Sequence, residues 1–193
     1  MSKKRLPITL ILGGLLMVCG LSLMLFFQLR SGNAEKTADA TVKQILAFLP
    51  EQTPGIPENY TNIAMPVLAL ENGDYCGLVE IPAFGICLPL DNTWDTDKLW
   101  AHPCRFWGSV YDKSLVIGSS GQQFSFCDKI DLGAYVSITD MTGAEYTYTV
   151  SRVDRSRHAD QSWLLSDKYD LTLFARGTFS LEYIAVRCSL TAQ

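Results

Sequence analysis

From about Ile63 onward, apolar residues fall at alternate positions in short runs separated by turn residues. A period of two places every second side chain on one face of a strand. YCGLVEI (75–81), FGICLPL (84–90), SLVIGSS (114–120), AYVSITD (134–140), EYTYTVSRV (145–153), LTLFA (171–175) and YIAVRC (183–188) all fit it, and all are rich in the β-branched and aromatic residues that strands favour. Pro82 separates the first two. Asp140-Met141-Thr142-Gly143 reads as a hairpin turn with Gly143 suited to positive φ. Helical signal is confined to Thr96–Ala101 and to Phe124–Leu132 ahead of Gly133. Seven or eight short strands with few helices predict a mostly β domain, either a closed barrel or a sandwich. No internal repeat interrupts the pattern.

The other strong constraint is Leu6–Phe27, an uncharged apolar run long enough to span a hydrocarbon core at helical rise. Lys3, Lys4 and Arg5 precede it and only Arg30 follows closely, so the positive-inside rule predicts a cytoplasmic N-terminus. A cleaved signal peptide has a shorter apolar region and a small-x-small cleavage site. Gly32-Asn33-Ala34 is a late, weak match, and Cys19 follows Val18 rather than a small residue. The expectation is an uncleaved, single-pass anchor in the plasma membrane with the β domain outside.

Four of the sixteen bases and none of the twenty acids lie in the first thirty residues, which leaves twelve bases against twenty acids beyond them. A segment near −8 is a poor nucleic-acid binder, and Arg152, Arg155 and Arg157 read as a solvated loop. No C-x-x-C pair occurs and the chain has two histidines, so neither a metal nor another cofactor is expected. Five cysteines lie beyond the anchor: Cys76, Cys87, Cys104, Cys127 and Cys188. One or two disulfides are compatible with an oxidising compartment, although an odd count leaves at least one thiol free or paired outside the chain; for most of the five the expectation is a buried free thiol acting as a small apolar side chain.

Three regions follow: 1–30, cytoplasmic tip and transmembrane anchor; 31–60, a juxtamembrane helix and linker; 61–193, the β domain. Val42, Ile45, Leu46 and Leu49 make one apolar stripe on a helix over Ala34–Leu49, which Pro50 stops. PEQTPGIPENY (50–60) is a proline-rich linker. Asn59-Tyr60-Thr61 is a glycosylation tripeptide by pattern alone.

The order of these pieces resembles the sortases, the cysteine transpeptidases that join exported proteins to the wall or pili of Gram-positive bacteria. GLVEIPAFGICLPL (Gly77–Leu90) is similar to the family's opening strand pair. HPCRFWGSVYDKSLVIGSS (His102–Ser120) is similar to the segment and strand that end in Ala-Gly-His. GAYVSITDMTGAEYTYTV (Gly133–Val150) is similar to the G-D-x-(V/I)-x-(F/I)-x-D-x-x-G-x-x-Y-x-Y-x-V hairpin. YDLTLFARG (Tyr169–Gly177) is similar to the strand that ends in L-T-L-x-T-C, and YIAVRC (Tyr183–Cys188) to the final strand. The resemblance covers nearly all of the chain beyond the anchor and implies an eight-stranded sortase barrel with short helices.

It also implies a loss. Sortases need a thiolate nucleophile, a histidine for proton transfer and an arginine that stabilises the tetrahedral oxygen. On this resemblance the three positions carry Ser120 for histidine, Arg176 for cysteine and Tyr183 for arginine. A hydroxyl does not titrate near neutrality, and a guanidinium is no nucleophile. Ala175 replaces the threonine, and Gly133-Ala134 stands where the family has Gly-Asp. The implied protein is an inactive, membrane-anchored sortase homologue that binds an LPxTG-like peptide or partners exported proteins, active sortases or pilus components. Two other readings stay open. One is an active transpeptidase or hydrolase using Cys127 or Cys104 with His102 or His158. The other is a barrel serving only as a spacer. Gly118-Ser119-Ser120-Gly121 is not a nucleophile elbow, because Gln122 breaks the G-x-S-x-G pattern. Arg176 is placed either to bind a carboxylate or to bridge Glu182.

Overall fold

The computed structural model describes residues 8–51, 53–55, 64–177 and 181–191; within the first helix, side chains are described at 12–26, 28 and from 36 onward. The chain divides into two compact units, Met1–Thr37 and Ala38–Gln193. Helix α1 runs Ile8–Phe48 without a break, so the separate juxtamembrane helix expected over Ala34–Leu49 is the end of a longer one. It stops two residues before Pro50, as the proline's bias against α geometry at Leu49 requires. The side chains at 12–26 are exposed. Among the described residues no helix is long and apolar enough to cross a membrane. The expected span begins at Leu6, which lies outside the described residues, and the tripeptide at Asn59 does too.

The second unit is a barrel. Its strands are β1 (Thr53–Pro54), β2 (Leu68–Leu70), β3 (Gly73–Ile81), β4 (Ile86–Asp91), β5 (Cys104–Trp107), β6 (Leu115–Ser119), β7 (Tyr135–Asp140), β8 (Ala144–Ser156), β9 (Leu171–Arg176) and β10 (Tyr183–Leu190). The path β8-β10-β9-β6-β5-β4-β3 closes because β7 pairs with both β3 and β8. Closure removes the exposed edges that an open sheet would leave, and it decides for the barrel over the sandwich. Most neighbours are antiparallel; β6–β9 and the single β4–β5 pairing are parallel. β1 and β2 lie outside the ring, on β8 and β3. Part of the supposed linker is therefore paired: Thr53 and Pro54 run beside Ala144 and Glu145. The rest of 50–60 lies largely outside the described residues.

Alternation along each strand divides the barrel's apolar residues between inside and outside. Ile117, Leu173, Ile184, Val186, Val136 and Tyr148 belong to the large interior core. Two smaller clusters cover outer faces. In one, Val42 and Ile45 of α1 pack on Tyr75 and Leu78. In the other, Val116, Phe174 and Ala185 meet Leu164, Trp94 and Phe106. Strands β6 and β9 are buried almost end to end for this reason, since sheet covered on both faces loses the polar half of its alternation.

Several local expectations change. Leu46 is 48% exposed, and the buried stripe of α1 is Ala38, Thr41, Val42 and Ile45. Thr96–Ala101 forms turns rather than a helix; the Asp95 carboxylate accepts from the Asp97 N–H at 2.9 Å, a local bond that competes with helix. Phe124–Leu132 contains only a 3-10 turn at Ser125–Asp128. Its apolar residues Phe124, Cys127 and Ile130 recur every three positions, which suits that tighter period. Arg152 and Arg155 sit on β8 rather than in a loop, bonded to Asp154 and Asp128. The turn at Asp140–Gly143 forms as read. The Asp140 carboxylate accepts from the N–H groups of Thr142 and Ala144, and Gly143 has φ +83°. All six cysteines are free.

Candidate functional site

Three adjacent strands present one outer face. On it Gly118, Phe174 and Ala185 lie side by side in register, with Thr172 beside Arg187 and Arg176 beside Tyr183 at its two ends. Aromatic side chains build up from this face. Trp94 stacks on Phe174 with centroids 5.7 Å apart, and Phe106 meets both edge-on at 5.0 and 5.6 Å. Gly118 makes room for this: a Cβ there would fall 2.5 Å from the Trp94 ring and 2.6 Å from that of Phe174.

Two polar anchors hold the walls. The turn after β6 ties down the segment carrying Leu99 and Trp100. The Ser120 N–H donates to the Leu99 carbonyl at 3.1 Å, and Gln123 Nε2 donates to the carbonyls of Trp100 and Ala101. Opposite, the short helix α2 (Gln161–Leu164) is capped by Asp160, whose carboxylate accepts from Trp163 N–H at 2.9 Å. Arg187, 2% exposed on β10, fastens the far end of α2. Its Nη1 donates to the Leu164 carbonyl at 2.8 Å and to Thr172 Oγ1 at 3.1 Å, its Nη2 to the Trp163 carbonyl, and its Nε approaches Asp154 at 3.4 Å. The guanidinium also lies over the rings of Trp163 and Tyr169. Burial pulls its pKa down, and Asp154 opposes that shift.

Between these walls lies a cavity of about 800 Å³. Its floor and sides are Trp94, Leu99, Trp100, Phe106, Leu164 and Phe174; Thr96, Ser119, Ser120, Gln122, Arg176 and Tyr183 supply polar groups. Ser120, Arg176 and Tyr183, singled out from sequence alone, thus converge on one cavity. Ser120 Oγ accepts from the Gln123 N–H at 3.3 Å, a side-chain bond that steadies the turn after β6. Arg176 is exposed at the end of β9, and no ion pair joins it to Glu182 among the described residues.

Among the described residues, no cysteine or histidine lines the cavity. Cys104 is buried, with its thiol directed at the main-chain carbonyls of His102 and Asp95 and its pKa raised by burial to about 11. His102 is also buried. Its Nε2 lies 3.2 Å from the Tyr75 hydroxyl, its Nδ1 has no hydrogen-bond partner among the described residues, and burial lowers its pKa. Cys127 is in the barrel core, where burial pushes its pKa far up. His158 is exposed on the loop after β8. A thiolate nucleophile needs the opposite environment, one that lowers the thiol pKa. Sequence reasoning missed Arg187 and Gln123 as the groups that position the walls. The signal for Arg187 was one charge inside an otherwise apolar strand, IAVRC, where burial demands partners.

No protein-family model matches the sequence, and no curated protein does. Solved structures match on shape. Sortase C from Clostridium perfringens SM101 aligns with TM-score 0.54 and 24% identity over 63% of this chain and 72% of that one. Sortase C1 from Streptococcus agalactiae gives 0.53 and 19%, over 61% and 67%. A lid mutant of sortase A from Corynebacterium diphtheriae gives 0.54 and 19%, over 62% and 71%. The fold is sortase-like. A further match in this group, at TM-score 0.53 and 21% identity over 63% of this chain and 72% of that one, is Clostridium perfringens sortase C with the C-terminal cell wall sorting motif. At these identities the likeness is one of architecture, and the sortase-like barrel here is described by its own side chains.

Proposed function

We propose that this chain is a catalytically inactive, sortase-like peptide receptor of a Gram-positive bacterium, anchored in the plasma membrane by Leu6–Phe27 with its barrel outside. One observation carries the reading: the three positions at which the resemblance places sortase chemistry meet in one cavity, and among the described residues neither a thiol nor an imidazole lines it. A cavity of this size with apolar walls and a few polar groups suits a short peptide or similar ligand. The sorting motif held by a structural neighbour supports a peptide of the LPxTG class as the kind of ligand. The uncharged run and the bases before it support the anchor.

The test is titration of the full-length chain in phospholipid nanodiscs with labelled LPxTG-type peptides, beside a quenched version of the same peptide. Saturable binding without cleavage is expected. Absence of binding to any such peptide removes the receptor reading. Cleavage that disappears on replacing Cys127 or Cys104 overturns the inactive one.

A further inference from the structure

The cavity lining is chemically one-sided. Arg176 is its only charged residue, and no Asp or Glu lines it among the described residues. The region beyond the first thirty residues is strongly acidic, so a lone cation in the groove is not the by-product of a basic surface. Guanidinium is charged at every physiological pH and presents a fork of N–H donors that matches a carboxylate. Tyr183, its registered partner across β9–β10, and Ser120 add hydroxyl groups at the same cavity. The stacked Trp94 and Phe174 rings offer an apolar bed beside them.

We propose that the groove recognises peptides ending in a free carboxylate, with that terminus on Arg176 and the preceding apolar side chains over Trp94 and Phe174. This rests on the receptor reading above and specifies its ligand: a chain that has already been cut, rather than an intact signal running on through the site. A fatty acid shares the carboxylate but not the amides. Thr96, Ser120, Gln122 and Tyr183 distribute hydrogen-bonding groups through the lining; they suit a peptide backbone, and an acyl chain would desolvate them without replacement bonds.

The experiment compares three matched peptides on the full-length chain in nanodiscs: one ending Leu-Pro-x-Thr with a free carboxylate, its C-terminal amide, and the continuous LPxTG-type sequence. Lauric acid is a fourth ligand. Anisotropy of the labelled peptides and the fluorescence of Trp94 and Trp100 report binding. The free acid should bind about tenfold more tightly than the amide, the effect of one good charge-assisted contact. Arg176→Gln should reduce the acid to the affinity of the amide and leave the amide unchanged. Equal binding of acid and amide by the unaltered chain overturns the carboxylate inference while the receptor reading stands. An acid preference that survives in Arg176→Gln overturns the assignment to Arg176. Tighter binding of lauric acid than of every peptide overturns the choice of occupant, and no peptide binding at all overturns both proposals.

Discussion

Arg176 and Tyr183 face each other across the last rung of the β9–β10 ladder, where β9 leaves the buried core and its final side chain becomes exposed. The pair stands at the rim of a cavity on the barrel's outer face. The interior is filled separately by its own apolar side chains. Floor, walls and rim of the cavity can therefore be perturbed one at a time.

Gly118→Val tests the floor. The new side chain would collide with Trp94 and Phe174, and overpacking of this kind costs about 1–3 kcal/mol. Urea denaturation should register that loss, with the aromatic bed disrupted and peptide binding abolished. Unchanged stability and binding would mean that the ring stack does not depend on this glycine.

Arg187→Met tests the wall. It leaves the carbonyls of Trp163 and Leu164 without their side-chain donor and Asp154 with Arg152 alone, and removing one member of a buried charged network costs about 3 kcal/mol. Arg187→Lys should recover only part of this, because an ammonium lacks the planar fork that reaches several acceptors. Equal stability of Lys and Arg at this position would remove the argument from geometry.

The end of α1 is part of the barrel unit rather than a spacer. A chain beginning at Glu58 loses the burial of Val42 and Ile45 and the pairing of β1, whereas one beginning at Ala38 keeps them. At about 1.5–3 kcal/mol for each fully buried aliphatic side chain, the shorter chain should be less stable by about 3 kcal/mol or more. Coincident denaturation midpoints would show that α1 packs without contributing.

His102 gives stability an acid dependence. Its pKa is lowered by burial. Asp91 opposes that shift, Lys98 adds to it, and the Tyr75 hydroxyl faces Nε2. The folded state therefore disfavours the imidazolium, so the unfolded chain binds the extra proton. The contribution is complete above the unfolded value of about 6.5 and is lost as pH falls through the folded value. Glu80, raised chiefly by burial, works in the opposite direction at lower pH. The informative measurement is the difference between the unaltered chain and His102→Gln across pH 5–8, which should shrink as pH falls. A constant difference would contradict the assignment.

Thiol chemistry should be silent in the native barrel. Cys76, Cys104, Cys127 and Cys188 are buried, and burial also raises the half-buried Cys87 to about 12. In a Cys19→Ser variant, a thiol-directed reagent near neutral pH should label nothing until denaturant is added. Rapid labelling of one barrel cysteine in the folded protein would revive the displaced-nucleophile reading.

The strands and the cavity positions were legible in the sequence for different reasons. Alternation, or in β6 and β9 a short β-branched and apolar run, marked β3, β4 and β6–β10, because both are strictly local features. The four-residue β5, carrying Arg105 and a register shift against β6, had too little alternation to register. The choice of barrel over sandwich depended on β7 pairing twice, a long-range event that no local period encodes. Ser120, Arg176 and Tyr183 were located by motif resemblance and then by register. The aromatic floor was not. Trp94 and Phe106 precede β6 by many residues and meet Phe174 only through the tertiary fold.

Because apolar side chains fill the barrel's interior and the groove lies on its outer face, the residues at the groove's rim carry little of the packing that holds the fold. Ser120, Arg176 and Tyr183 are partly or fully exposed, so that rim is free to diverge while the scaffold beneath stays the same. The same separation makes it a candidate chassis. Placing histidine, cysteine and arginine at positions 120, 176 and 183, where the resemblance puts the sortase groups, would ask little of the architecture, and would measure how much of a transpeptidase three side chains can supply.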